Sequence, residues 1–259
     1  MLTFVGLGLY DCEDITLRGK KAIEEADMIF AEFYTSKLIN AQLKELEKFF
    51  GREITLLSRE AVEDGRIIID EASRKNVVFL VAGDPMAATT HISLRMMAEE
   101  RGIKTRIIHN ASIVTVVPGL LGLQHYKFGR TVSIPFPQEN YFPTSAYDFI
   151  LDNFQRGLHT LILLDVNPRP MTANEAMEIL LRMEKRKKMG LVRTESLIGV
   201  VARAGSPDAS IRAGYLKDMI NEDFGEPLHT LVFIGKLHFA EADALVRFAG
   251  APRKILDEF

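Results

Sequence analysis

The chain has 259 residues, 47% hydrophobic and 26% charged, with a formal net charge of −3 and one cysteine, Cys12. That length fits one large domain or two modest ones, and the composition excludes a disordered chain. The charge balance speaks against nucleic-acid binding through clustered positive charge, and one cysteine excludes an internal disulfide and fits a reducing cytoplasm.

The N-terminus carries no basic flank before a long apolar run, and no apolar stretch approaches the roughly 18 residues of a membrane span. Neither a leader nor a membrane partner is expected. Apolar, β-branched runs alternate with helical patterns. Strands are expected at Leu2–Val5, Met28–Phe33, Ile54–Leu57, Val77–Val81 and Thr105–Ile108, with helices at Asp14–Ala26, Lys37–Phe49 and Thr90–Arg101. Continuous rather than alternating apolar strands predict a parallel sheet covered on both faces, built from right-handed βαβ units. Asp14 reads as the N-cap of the first helix and Gly102 as the stop of the third, where Ile92 and Met96 form an apolar stripe beside Glu99 and Glu100.

After Ile108 comes ASIVTVVPGLLGLQHYKFG, read as a connecting helix broken near Pro118-Gly119, with Tyr126-Lys127-Phe128-Gly129 as interdomain packing. The rhythm then restarts, with strands expected at Thr131–Ile134, Thr160–Leu164, Leu197–Ala202 and Thr230–Ile234 and helices at Ser145–Gln155, Ala173–Met189 and Phe239–Phe248. PFPQENYFP, with three prolines, is a loop inside this second part. The expected organisation is two α/β domains, 1–128 and 129–259, with a cleft between them.

Three loops follow strands and stand out chemically. Gly6-Leu7-Gly8 begins like a dinucleotide-binding turn, but the third glycine of that fingerprint is replaced by Asp11, whose charge would repel a pyrophosphate. Taken alone the turn is as well read as a tight strand-to-helix connection. Gly83-Asp84-Pro85 ends a buried strand abruptly, and in an open α/β sheet ligands sit outside the carboxyl ends of strands. The two loops can therefore lie side by side. Asp84 could bind a ribose or an ammonium group, or close an Asx turn. In HNASIV, residues 109–114, Ser112 reads as an N-cap with approachable backbone amides around it.

Other features read more plainly. The six histidines show no metal-ligand spacing, and His229 and His238 stand nine apart, so no metal is expected. Cys12 has no recognisable base beside it. Lys185-Arg186-Lys187-Lys188 closes a helix, where cations favour the negative end of the dipole.

Gly6-Leu7-Gly8 with Asp11, Gly83-Asp84-Pro85 and the Ser112 helix start resemble the tetrapyrrole methylase-like class of S-adenosylmethionine-dependent methyltransferases. That class usually carries Gly-x-Gly-Pro-Gly-Asp in its first loop. Leu9 and Tyr10 stand here in place of Pro-Gly, which argues against a porphyrinoid substrate. Within the class the chain is most similar to the archaeal diphthine synthase family, through VGLGLYD, AEFYTS, AGDPMAATTH, YKFG, YFPTS, RGLHTLILLD, MTANEAM, ARAGS, IRAGYLKD and GKLHFAEADAL. These stretches span nearly the whole chain in order.

The resemblance implies a tetrapyrrole methylase-like fold with a mainly parallel sheet in the first domain and the cofactor in the interdomain cleft. It implies trimethylation, by S-adenosyl-L-methionine, of the amino group of an aminocarboxypropyl-modified histidine on translation elongation factor 2, in diphthamide biosynthesis. S-adenosyl-L-homocysteine is then the product, and the enzyme an archaeal, cytoplasmic homodimer. By motif match the cofactor contacts fall on Leu9, Asp84, Ala87, Ser112, Ile113, Leu164, Ala204 and His229, several through backbone atoms. A precorrin-type methyltransferase of the same fold and a non-catalytic S-adenosylmethionine sensor are the alternatives. PFPQENYFPTS is the loop to examine for the protein substrate. No catalytic residue is assigned: in-line methyl transfer from a sulfonium needs alignment more than an acid, a nucleophile or a metal.

Overall fold

The first apolar run, Leu2–Gly6 (β1), is followed by a 3-10 turn at Cys12–Asp14 and by α1 (Leu17–Glu24). Chain order then gives β2 (Met28–Glu32), α2 (Leu43–Phe50), β3 (Thr55–Leu56), α3 (Arg59–Asp64), α4 (Arg66–Ala72), β4 (Val77–Val81), α5 (His91–Glu100), β5 (Thr105–Ile108) and α6 (Ile113–Leu121). Beyond a 3-10 turn at His125–Lys127 come β6 (Val132–Ile134), α7 (Ser145–Gln155), β7 (Thr160–Leu164), α8 (Ala173–Lys187), β8 (Leu197–Ala202), β9 (Ser210–Tyr215), α9 (Leu216–Met219), β10 (His229–Phe233) and α10 (Phe239–Ala249). The computed structural model describes residues 1–139 and 141–258; Asn140, inside the expected docking stretch PFPQENYFPTS, lies outside the described residues.

The chain divides into two compact units, Met1–Ile113 and Val114–Phe259. In the first, five strands run parallel in the order β3-β2-β4-β1-β5. Successive side chains point to opposite faces of a strand. Accordingly Leu2, Phe4, Val77, Phe79 and Val81 join one buried cluster, while Val5, Val78 and Leu80 join another. Burial on both faces is the reason β1 and β4 read as unbroken apolar runs.

The second unit holds a mixed sheet in the order β6-β7-β10-β8-β9, in which β6 and β7 are parallel and the other neighbours antiparallel. Its core gathers Ile134, Tyr147, Ile162, Leu180, Val200 and Leu231. The stretch 114–128 belongs to this unit, ahead of the expected boundary at 128, because its contacts are made there. Leu121 packs against Gly199, and Lys127 Nζ pairs with Glu241, which also accepts from the Gln124 amide at 2.9 Å. Phe128 stands edge-on to His159 with centroids 5.3 Å apart, so the YKFG stretch packs inside the second unit, while Tyr126 is exposed.

Several local expectations need correction. Thr16, not Asp14, caps α1, its hydroxyl accepting from the Gly19 amide at 3.0 Å. α6 runs through Pro118 without a break. Val117, Pro118 and Leu121 are all buried, and the proline removes only one N–H donor. On α5 the buried residues are His91, Leu94 and Ala98, whereas Ile92 and Met96 face outward. The basic run does close a helix: Lys188 caps α8 in the left-handed region, Lys187 Nζ reaches Asp148 Oδ2 at 2.8 Å, and the Arg182 and Arg186 guanidinium groups lie over the Phe142 ring.

Candidate active site

In the first unit the loops after β1, β4 and β5 meet at the carboxyl edge of the sheet. Gly8 and Gly83 form an antiparallel bridge, in which the Gly83 amide donates to the Gly8 carbonyl at 2.7 Å. Both glycines have positive φ, +85° and +73°, which a side chain would strain. Gly6 is glycine for a different reason: a Cβ there would come within 2.5 Å of the Gly83 carbonyl oxygen and 2.8 Å of Asn110 Cβ. The first loop is thus shaped by close approach to the second.

Side chains from the same edge fasten these loops. Asp14 Oδ2 accepts from the amides of Leu9 and Tyr10 at 2.9 and 2.7 Å. Asn110 Nδ2 donates to the Gly6 and Asp14 carbonyls, each at 3.0 Å. Asp84 Oδ1 closes an Asx turn on the Met86 amide at 2.9 Å, and Oδ2 receives the Asn110 amide at 3.3 Å and His109 Nδ1 at 2.7 Å. Three donors therefore use most of that carboxylate's acceptor capacity.

Of the expected contact residues, Leu9 and Ala87 are half-buried on the two loops, and the Ala87 amide donates to the Asp84 carbonyl at 3.2 Å. Ser112 is buried just before α6, and Ile113 opens that helix. This unit therefore gathers Leu9, Asp84, Ala87, Ser112 and Ile113 along one edge.

The second unit gathers the remaining three. β7 ends at Leu164, β10 begins at His229, and the register pairs Thr230 with Leu163 and His229 with Ala202. Leu164, His229 and Ala204, two residues beyond β8, thus share one end of that sheet. His229 Nδ1 accepts the Ala173 amide at 3.0 Å, and Nε2 donates to the Glu226 carbonyl at 3.2 Å. Both ring nitrogens are committed, and burial pushes the imidazole pKa below its usual value. Arg203 holds the adjoining turn, its guanidinium reaching the Phe224 and Glu226 carbonyls at 2.8 and 2.7 Å.

Sequence reasoning missed Asp14, Asn110 and His109 as organisers of the edge. The available signal was HNAS directly after a strand, a run of hydrogen-bonding side chains at a strand terminus. Among the described residues no cluster of three or more His, Cys, Asp or Glu could hold a metal ion, and no helix is long and apolar enough to cross a membrane.

Residues 1–220 match the family of Tetrapyrrole (Corrin/Porphyrin) Methylases, and the chain belongs to that family of methyltransferases. Its relatives place it more narrowly. It is 48% identical to diphthine synthase of Methanosarcina acetivorans, over 100% of this chain and 99% of that one. It is 49% identical to that of Methanocaldococcus jannaschii, over 95% and 97%. A crystal structure of diphthine synthase superposes with a TM-score of 0.90 at 40% identity, covering 99% of this chain and 98% of the other. Within the methylases, the chain belongs with the diphthine synthases.

Proposed function

We propose that the chain uses S-adenosyl-L-methionine to trimethylate the amino group of the aminocarboxypropyl-modified histidine of elongation factor 2, acting as a cytoplasmic homodimer in diphthamide biosynthesis. The observation that carries this reading is full-length similarity to diphthine synthases, at 48% identity. The local geometry of the first unit agrees with a bound cofactor. A Cβ on Gly83 would meet only the Ala111 carbonyl oxygen, at 3.9 Å, so the backbone there is open to a ligand. Half-buried Leu9 and Ala87 lie on the paired loops, and Asp84 offers a carboxylate. Such a mixed surface suits a nucleoside with an amino-acid tail.

Cofactor contacts are assigned to Leu9, Asp84, Ala87, Ser112 and Ile113 on the first unit and to Leu164, Ala204 and His229 on the second. When bound, S-adenosylmethionine supplies a methyl group already activated by a sulfonium. The chain's task is then to align, to exclude water and to handle protons. Substrate nitrogen must be neutral to attack. Backbone contacts suit that requirement, because they add no further charge to stabilise the ammonium form.

The test is the mass of elongation factor 2 carrying the aminocarboxypropyl-histidine, before and after incubation with the chain and S-adenosylmethionine. Increments of one, two and three methyl groups on that histidine are expected. No increment overturns the proposal.

A further inference from the structure

Conversion of an ammonium group to its methylated ammonium releases one proton per methyl, and that proton needs an acceptor. His109, the residue after β5, has Nδ1 2.7 Å from Asp84 Oδ2. Asp84 is already fixed as an acceptor by the Met86 and Asn110 amides, at 2.9 and 3.3 Å. Its carboxylate therefore accepts from His109, and the imidazole hydrogen resides on Nδ1. A neutral imidazole carries one N–H, so Nε2 keeps its lone pair. Among the described residues nothing hydrogen-bonds to Nε2. The imidazole is 68% exposed, whereas the Asp84 side chain is 12% exposed.

A carboxylate behind Nδ1–H with Nε2 open is the arrangement that makes a histidine a general base. The pair stands at the edge where the loops after β1, β4 and β5 meet. Loop fastening alone does not call for the imidazole, since two backbone amides already fix Asp84.

We infer that His109, oriented by Asp84, is the general base that deprotonates the substrate's ammonium nitrogen before each methyl transfer. The inference rests on the proposed function. In the step, an N–H bond of the substrate breaks and its proton goes to His109 Nε2, leaving the electron pair on nitrogen. That pair forms the new N–C bond to the methyl carbon as the C–S bond breaks, and the C–S electrons pass to sulfur. The exposed imidazolium then gives its proton to water.

Two measurements test this. In the cofactor-free chain, imidazole 15N shifts report the tautomer. Hydrogen on Nδ1 is expected for neutral His109, and hydrogen on Nε2 overturns the assignment. In kinetics, His109→Gln is expected to keep the calorimetric affinity for S-adenosylmethionine and lose kcat by about 10²–10⁴-fold, while His109→Ala recovers rate with free imidazole. A positioning role alone would not be rescued in that way. An unchanged kcat in His109→Gln, or a rate loss matched by an equal loss of cofactor affinity, overturns the base role and leaves the proposed function standing. A wild-type chain inert on the modified elongation factor overturns the proposed function itself.

Discussion

Glu32 Oε1 and His91 Nε2 face each other at 3.6 Å inside the first unit, their side chains 0% and 1% exposed. Each is tied on its far side. Glu32 Oε2 accepts from the Tyr34 and Thr35 amides, both at 3.0 Å, and His91 Nδ1 donates to the Pro85 carbonyl at 3.0 Å. A carbonyl only accepts, so His91 carries its hydrogen on Nδ1 and a neutral ring would present a lone pair to Glu32. An ionised carboxylate facing that lone pair would set two acceptors together, so the pair holds one further proton. Burial raises the Glu32 pKa and lowers that of His91, which places the proton on Glu32 and leaves the pair uncharged. The pair links the segment after β2 to the Gly83–Pro85 turn.

Replacing Glu32 by Gln removes the ability to ionise but keeps an oxygen for the two amides and an N–H for His91. Above the ordinary Glu value of 4.5 the unfolded chain loses this proton while the folded chain retains it. The folded state then binds more protons, so the glutamate costs stability as pH rises until its folded pKa is passed. His91 acts oppositely, costing stability as pH falls below its ordinary 6.5, and keeps that behaviour in the variant. The expected outcome is that Glu32→Gln gains stability relative to wild type with rising pH. Urea unfolding between about pH 5 and about pH 9 reads it. A difference that shrinks with pH contradicts the neutral pair.

Gly6 and Gly83 separate steric from conformational demand. Gly6→Ala drives a methyl into the Gly83 carbonyl at 2.5 Å and cannot be relieved by a side-chain rotation. The expected cost is about 1–3 kcal/mol, together with weaker calorimetric binding of S-adenosylmethionine. At Gly83 a Cβ meets nothing closer than 3.9 Å within the fold, so the stability cost of Gly83→Ala is only the left-handed backbone penalty of about 1–2 kcal/mol, while its methyl would enter the face left open to the cofactor. Thermal unfolding and calorimetry on the two variants check the contrast.

Most of the first unit was legible because β1, β2 and β4 are buried on both faces and Gly6, Gly8 and Gly83 fall at strand ends. What escaped the sequence has specific causes. β9, SIRAGY, carries Arg212 beside Ala213 and Gly214 and so lacks the unbroken apolar run of the other strands. α4 was hidden because Ile67, Ile68 and Ile69 read as a featureless apolar run, although Ile68 and Ile69 are buried and Ile67 is exposed. The stripe on α5 was assigned to the wrong face because His91 is polar, yet its ring packs edge-on to Phe79 with centroids 5.1 Å apart. The site was half legible. Gly6, Gly8, Gly83 and Asp84 announce themselves by residue type, whereas Asp14 acts by reaching back to amides that no sequence period marks.

Asp14 therefore offers a sharp test of how the first loop is held. Ala at this position leaves the Leu9 and Tyr10 amides without their shared acceptor, while Asn keeps one oxygen for them. Asp14 is exposed, so global stability is expected to change by no more than about 1 kcal/mol in either variant. Cofactor affinity is expected to fall by about tenfold, or 1.4 kcal/mol, in Asp14→Ala and to stay near wild type in Asp14→Asn. Calorimetric titration with S-adenosylmethionine distinguishes them. Equal losses would point to the charge of Asp14 rather than to loop geometry.

Glu241 anchors the start of α10 in the second unit and is an acid-sensitive element there. Its side chain is 1% exposed, accepts His159 Nε2 at 3.1 Å and the His238 and Gln124 amides at 2.8 and 2.9 Å, and pairs with Lys127 Nζ. Burial alone would raise its pKa, but the hydrogen bonds from Lys127, Gln124 and His238 outweigh it and hold the carboxyl below 4.5. A depressed carboxylate stabilises the fold above its unfolded pKa and loses that contribution as pH falls through the folded value. Glu241→Ala leaves His159 Nε2 and the Gln124 and His238 amides without their acceptor and the Lys127 cation with only the Lys236 carbonyl, and the expected loss near neutral pH is about 3–5 kcal/mol. Urea unfolding of this variant should show a stability gap to wild type that narrows as pH falls below about 4.5, because wild type alone loses the carboxylate. A gap independent of pH would assign the loss to packing and not to the ion pair.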